Sequence, residues 1–345
     1  MANTFHEVIS LPDRSYQAIA RAELKAITAK VGFTPHRLAE IEIIIAEITS
    51  NLVKHTTSGG QILCRVLDEP GQEGIELISI DDGPGIAALS HSMKDGISSK
   101  KTLGQGLGAI QRLSDLFDIY SIQGWGTIVL SRVYLKKPKV IKPVEKLMME
   151  TLRVAKTGEK KCGDNWTLFL KGKLAMLTMI DGLGHGEDAD AAATAAVEHF
   201  RKQTVGGPCD QLRDISTVIK KTRGAVMTIA QIDVANKQMT YCSVGNILTR
   251  LVNQPLSMAA RTFSSYNGIV GHTLPRVMNN TTIPWDGKLD MLIMHSDGLS
   301  GRWDLGKYPR ILQKHGMVLC AALYKDHNRG TDDTTVAAIR SVKEI

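Results

Sequence analysis

The 345-residue chain predicts two domains in series, a layered α/β domain followed by an α+β sandwich. Three observations carry that reading. An amphipathic helix starting at Thr34-Pro35 leads into strand-like runs punctuated by glycine turns. A basic, proline-containing stretch, Lys136-Lys137-Pro138-Lys139 through Lys142-Pro143 to Lys146, then breaks the pattern. Beyond it strand-like runs recur, with an alanine-rich helix among them. The expected division is residues 1–135, a tether at 136–146, and residues 147–345.

In order along the chain, residues 13–31 read as a helix stopped by Gly32. Thr34 is placed to cap the next helix, with Pro35 at its first position. That helix sets Leu38, Ile41, Ile44, Ile45, Ile48 and Leu52 near the 3.6-residue period, so one stripe is buried. Strands are expected over 61–68 and 75–81, joined by the turn-rich Pro70–Gly74, and later near 117–122 and 127–134. A polar loop around 90–103 separates the two pairs, with a short helix from about Leu107. In the second half, strands are expected at 167–180, 225–233, 239–244 and 289–296, and helices near 188–203 and 210–222.

Composition excludes several classes. With 43% hydrophobic and 22% charged residues the chain is globular rather than disordered. No apolar run approaches the ~18 residues of a membrane span, and the start lacks a basic segment followed by an apolar one, so no secretory signal is expected. Five scattered cysteines (Cys64, Cys162, Cys209, Cys242, Cys320) without a CxxC pair suit reduced thiols in cytoplasm. The net charge of +7 is dispersed and aromatics are 5%, so nucleic acid is not expected as a partner.

Two constellations carry chemistry. In the first, Glu47 and Asn51 stand one helical turn apart and share a face. The asparagine carbonyl suits Mg²⁺, and the glutamate can deprotonate a hydroxyl. Asp81, ending a strand in Asp81-Asp82-Gly83-Pro84-Gly85-Ile86, can accept the exocyclic amine of adenine, while Gly83 and Gly85 permit a tight turn. Gly104, Gly106 and Gly108 lead toward a helix whose N-terminal N–H groups suit phosphate, and the loop between the glycine clusters reads as a lid. Each part alone is commonplace: a Glu/Asn pair is usually a solvated face, and an isolated glycine run is weak. Their conjunction in order is specific.

In the second, Asp181-Gly182 follows the apolar run 174–180, Asp297 follows 291–295, and Asp332 precedes 336–339. Each Asp-Gly alone is more often a turn; three carboxylates at strand ends can converge on a metal pair. Hard oxygen donors without a His/Cys cluster favour Mg²⁺ or Mn²⁺ over zinc. His185 reads as a polar loop residue, Asp188 and Asp190 as favourable charges at a helix start, and Asp333 as bonded within its own turn.

These motifs carry a double resemblance. Residues 1–135 resemble the GHKL ATPase superfamily, in its branch of bacterial switch kinases and anti-sigma kinases of the RsbT and RsbW type. Glu47 and Asn51 match the N-box, Asp81, Gly83 and Gly85 the first glycine box, Gly104–Gly108 the second, and Gly126-Thr127 the closing Gly-Thr. Residues 147–345 resemble PPM-type serine/threonine phosphatases of the SpoIIE and RsbX branch through Asp181-Gly182-Leu183-Gly184-His185-Gly186. The resemblance implies a Bergerat α/β sandwich followed by an α-β-β-α sandwich, with ATP and Mg²⁺ or Mn²⁺ as cofactors. It implies Glu47 as base, nucleotide contacts from Asn51, Asp81, Gly83, Gly85, Gly104, Gly106, Gly108 and Thr127, and metal ligation by Asp164, Asp181, the Gly182 carbonyl, Asp297 and Asp332. No phosphate-binding arginine is identified from sequence. The implied partners are STAS-domain proteins, with a sigma factor, a downstream phosphatase or a second copy of the chain as further candidates, and no membrane. The implied activities are transfer of the ATP γ-phosphate to serine or threonine, and hydrolysis of the phosphorylated residue; in an alternative reading the first domain only captures partners.

Overall fold

The computed structural model describes residues 4–56, 59–86, 103–137, 147–202, 206–253, 260–287 and 290–341. The expected lid, and the tether from Pro138 onward, lie outside these residues. Two compact units emerge, mainly His6–Ile141 with Tyr308–Ala322, and Lys142–Lys307 with Leu323–Ile345. The grouping of Tyr308–Ala322 with the first unit has no counterpart in the sequence reading.

The first unit opens with β1 (Glu7–Leu11), absent from the sequence expectation, whose alternation buries Ile9 and Leu11. The helix expected over 13–31 is a 3₁₀ turn, Arg14–Tyr16, capped by Asp13, and then α1 (Gln17–Ala29). α2 (Pro35–His55) starts where the cap predicts, with Thr34 Oγ1 accepting from Arg37 N at 3.3 Å. Its buried stripe is Ile41, Ile44, Ile45, Ile48 and Leu52, with Thr49. Arg21 fastens α1 to α2 by donating to Thr49 Oγ1 and to the Ala46 carbonyl.

Strands β2 (Gly60–Leu67), β3 (Gly74–Asp81), β4 (Leu116–Ile122) and β5 (Gly126–Tyr134) complete an antiparallel sheet in the order β1-β2-β3-β5-β4. α3 (Leu103–Leu113) precedes β4. One core joins helices to sheet, with Ile45, Ile48, Ile62, Leu77, Ile110 and Val129 among its members. Where Tyr308–Ala322 meets β4, Tyr120 Oη donates to the Pro309 carbonyl and Asp118 accepts from Lys314 Nζ and His315 N. The Trp125 ring lies edge-on between Tyr120 and Tyr308.

The second unit stacks two five-stranded antiparallel sheets. One runs β13 (Thr281–Pro284), β10 (Gln238–Val244), β9 (Ala225–Asp233), β8 (Leu174–Gly182), β7 (Asp164–Lys171). The other runs β12 (Ala260–Thr262), β11 (Leu248–Asn253), β14 (Asp290–His295), β15 (Thr334–Ser341), β6 (Leu147–Val154). Alternate residues of β8 divide between two cores. Ala175, Leu177 and Met179 face the sandwich interior, while Met176 and Ile180 face α4 (Glu187–Lys202) and α5 (Pro208–Val218). A strand covered on both faces reads as a continuous apolar run, as 174–180 does; the expectation of one strand over 167–180 ran through the polar Lys171-Gly172-Lys173 turn before it. The segment is a hairpin that turns at Gly172 (φ +61°), where a two-residue loop needs a left-handed first position. A last helix, α6 (Gly316–His327), precedes β15 in the chain and groups with the first unit up to Ala322.

Candidate nucleotide and metal sites

In the first unit α2 and β3 aim their polar ends at one cavity of about 250 Å³. Ile48, Leu52, Ile86, Leu107, Ile110 and Val129 supply apolar walls; Asn51, His55, Ser79, Asp81 and Thr127 are the polar groups among its lining. Such a slot suits a planar base held by a few placed polar atoms. Asp81 Oδ1 accepts from Gly83 N at 2.8 Å and Thr127 N at 3.2 Å, which fixes the carboxylate at the strand end. Ser121 Oγ bonds Thr127 Oγ1 and accepts from Ile86 N, tying the turn to β4 and β5. Gly85 (φ +69°) has no room for a side chain, since a Cβ there would stand 2.0 Å from the Ile122 carbonyl oxygen.

The glycines of the second box differ from expectation. Gly104, Gly106 and Gly108 lie within the first turns of α3, not in a loop ahead of it. Gly106 faces α2 so closely that a Cβ would meet Glu47 Oε2 at 2.5 Å and Asn51 Oδ1 at 3.5 Å. The structure therefore gathers Glu47, Asn51 and Gly106, while Asn51, Asp81, Gly85 and Thr127 line the cavity and Glu47 stands beside it. Gly83 sits under the same turn, where a Cβ would meet the His55 carbonyl.

In the second unit Asp181 at the end of β8 is the cross-strand partner of Asp164 at the start of β7. Asp181, Asp297 and Asp332 line one cavity of about 320 Å³ with Leu183, Gly184, Asn246 and Asn267. Gly182 is packed against α4, a Cβ there standing 2.2 Å from the Ala189 carbonyl oxygen. Asp164 is held from behind: its Oδ2 accepts from Ser296 Oγ at 2.7 Å, and Ser296 Oγ accepts from Thr335 N at 2.9 Å. His295 beside it is neutral, its ring lying between the Trp303 indole N–H and the Ser296 carbonyl; burial pushes its pKa down to about 4.

Asp333 is not confined to its own turn. Its carboxylate accepts from Lys156 N and Gly163 N, both 2.8 Å, and so fastens the loop before β7 to the start of β15. It is Asp332 that closes the local turn, its Oδ1 accepting from Asp333 N at 2.9 Å. His185 bonds Glu159, while Asp188 and Asp190 sit in the first turn of α4 as expected.

Electrostatics set this cluster apart. Burial, then the charges of Asp164, Asp297, Asp332 and Asp333, push the Asp181 carboxyl well above the usual range. Burial, with Asp333 adding to it, raises Asp164 to about 7. Among the described residues no three acidic, His or Cys side chains are already closed to ligand spacing. The shared cavity and the mutual charge effects nevertheless mark them as one group, converging but not drawn together. Asp164 Oδ1 is buried with no hydrogen bond of full geometry among the described residues, although the Thr335 hydroxyl stands close enough to lower the carboxyl's pKa. A desolvated acceptor without a donor is costly, and a hard divalent cation is the group that satisfies such oxygens. The oxygen donors of this group suit a hard divalent cation such as Mg²⁺.

Sequence reasoning passed over Asn246 and Asn267. Asn246 Nδ2 donates to Asp297 Oδ2 at 2.8 Å, orienting that carboxylate in the cavity wall. The signal was available, since Gly245-Asn246 follows β10 as Asp181 ends β8.

The two folds define the class: a kinase-like ATPase domain joined in one chain to a two-sheet α-β-β-α sandwich that is similar in part to a phosphoserine phosphatase. Residues 10–132 match the family described as histidine kinase-like ATPase domain. The serine/threonine-protein kinase RsbT of Bacillus subtilis (strain 168) is 32% identical over 117 residues, 34% of this chain and 87% of that protein. The chain therefore belongs, through its first domain, to the family of RsbT. The phosphoserine phosphatase RsbX of the same organism is 32% identical over 95 residues, 27% of this chain; the chain spans 46% of its length. A solved chain from work on the bacterial stressosome, 24% identical, shares the fold with a TM-score of 0.51, covering 56% of this chain and 99% of that one. No helix among the described residues is long and apolar enough to cross a membrane.

Proposed function

We propose that the chain is a bifunctional regulator of a bacterial partner-switching or stress-signalling system. Residues 1–135 would phosphorylate serine or threonine on a STAS-domain protein, and residues 147–345 would remove phosphate from such a residue. The convergence of Asp181, Asp297 and Asp332 on one cavity, with Asp164 paired to Asp181, supports the phosphatase reading above all. When bound, a pair of divalent cations would neutralise the phosphate and activate a water for attack. Asp164, Asp181, the Gly182 carbonyl, Asp297 and Asp332 would hold the pair, with Asn246 orienting Asp297. In the first unit Asp81 and Thr127 would read adenine, Asn51 would hold Mg²⁺, and the first turn of α3 would receive phosphate. Glu47 would take the proton of the substrate hydroxyl as ATP supplies the phosphoryl group.

A second reading, in which the ATP domain captures a sigma factor or its antagonist without transferring phosphate, gains support from one observation: Glu47 is not among the lining of the nucleotide cavity. Glu47→Ala separates the two. The kinase reading expects transfer from labelled ATP to a STAS protein to fall about 100-fold or more while ATP affinity stays within about threefold. ATP binding by the unsubstituted chain with no transfer to the STAS protein above background would favour capture; transfer unchanged in Glu47→Ala would remove Glu47 as the base.

A further inference from the structure

The cavity of the second unit poses an electrostatic problem for its own substrate. Asp181, Asp297 and Asp332 line it, Asp164 and Asp333 act on Asp181 from close by, and no lysine or arginine is among the lining residues. A phosphate monoester arrives with roughly −1.5 to −2 charge at neutral pH. Even two divalent cations leave that anion facing a surplus of carboxylates, so a cation at the mouth would matter for binding.

Arg223 stands there. Its Nη1 lies 2.9 Å from the point where a Cβ on Gly184 would be, and Gly184 belongs to the cavity wall. The guanidinium thus passes over a position that only glycine (φ +85°) leaves clear. Its Nη2 is 2.7 Å from Asp188 Oδ2 in the first turn of α4, which sets the direction of the fork. The backbone that carries it is fixed on several sides. The Arg223 carbonyl accepts from His272 Nε2 at 3.0 Å, Leu183 N donates to the Gly224 carbonyl at 3.0 Å, and Ala225 and Val270 exchange both backbone bonds. The side chain is half exposed, so it can meet an incoming group. Arg153 offers no such access, being buried with its Nη2 donating to the Cys162 carbonyl.

We propose that Arg223 is a substrate-binding residue that receives the phosphate of the incoming phosphoserine or phosphothreonine at the cavity mouth, with Asp188 as its positioning residue. A guanidinium offers the paired donors that match phosphate oxygens. This inference rests on the phosphatase reading above.

The test uses the full chain with Mg²⁺, a phosphoserine peptide as substrate and inorganic phosphate as competing ligand. Arg223→Ala is expected to raise KM for the peptide and Ki for inorganic phosphate by about tenfold or more, with kcat changed by less and calorimetric Mg²⁺ affinity unchanged. Arg223→Lys should restore part of the loss, and Asp188→Asn should give an intermediate Ki. If the unsubstituted chain is active and Arg223→Ala keeps its KM and Ki, this inference falls alone. If the unsubstituted chain neither releases phosphate nor binds it in the presence of Mg²⁺, the phosphatase reading falls and takes the inference with it.

Discussion

Replacing Asp181 by asparagine is expected to act in opposite directions on stability and on activity. In the metal-free chain the substitution removes one charge from a buried cluster in which Asp164, Asp297, Asp332 and Asp333 all disfavour ionisation of Asp181. Relief of like-charge repulsion should raise the melting temperature of the second unit without metal. The amide retains the shape of the carboxylate, so packing at the end of β8 is preserved. A neutral amide oxygen, however, would be a weaker ligand for a divalent cation than the carboxylate it replaces. Mg²⁺ or Mn²⁺, which should raise the melting temperature of the unsubstituted chain by mass action, should give the variant little or no shift. Release of phosphate from a phosphoserine substrate should fall at least about 100-fold, the loss expected when charge stabilisation of the transition state is removed. Calorimetric scans with and without metal, alongside phosphate release, check both directions. A variant that is less stable without metal yet still stabilised by it would contradict the metal assignment.

What the sequence made legible was whatever is local. The Thr34-Pro35 start and the Ile41–Leu52 stripe of α2 follow from capping and period alone, and the core packs that stripe as expected. Asp81 and Asp181 were legible because each ends an apolar run, and a strand end holds a carboxylate rigidly. Relations across strands or between distant loops were not. Nothing local in Gly330–Thr335 shows that Asp333 reaches back to Lys156 and Gly163, while Asp332 faces the cavity. Arg223 carries no periodic or motif signal; its role appears only once Gly184 is placed beneath it. The same limit explains β1, a five-residue edge strand too short to outweigh the helical pattern after it; the hairpin at Gly172 was a different miss, since Lys171-Gly172-Lys173 is itself a local turn signal.

The largest stability effect in the first unit is expected from Glu76→Gln, and its origin is again register. Glu76 on β3 is the direct cross-strand partner of Arg65 on β2 and of Arg132 on β5. Its Oε1 meets Arg65 Nη2 at 3.0 Å and His6 Nε2 at 2.9 Å, and its Oε2 accepts from Arg132 Nε at 2.5 Å. The carboxylate is fully buried; burial alone would raise its pKa, yet Arg132, then Arg65 and His6, hold it well below the ordinary 4.5. A slip of one residue in either pairing would turn Glu76 to the face that Ile75 and Leu77 now fill, so the triad helps select the register. Glutamine keeps the shape but removes the buried charge that faces two buried guanidinium groups, at a cost of about 3–5 kcal/mol. That is a large part of the roughly 5–15 kcal/mol by which a domain is stable. Because the folded pKa is depressed, the ionised form contributes its full stability above pH 4.5 and loses it as pH falls through the folded value. The urea midpoint of the variant should therefore lie far below that of the unsubstituted chain at pH 7, and the gap should narrow steadily below pH 4.5. A gap of equal size at pH 7 and at pH 3 would mean that the carboxylate's charge is not what holds these three strands in step.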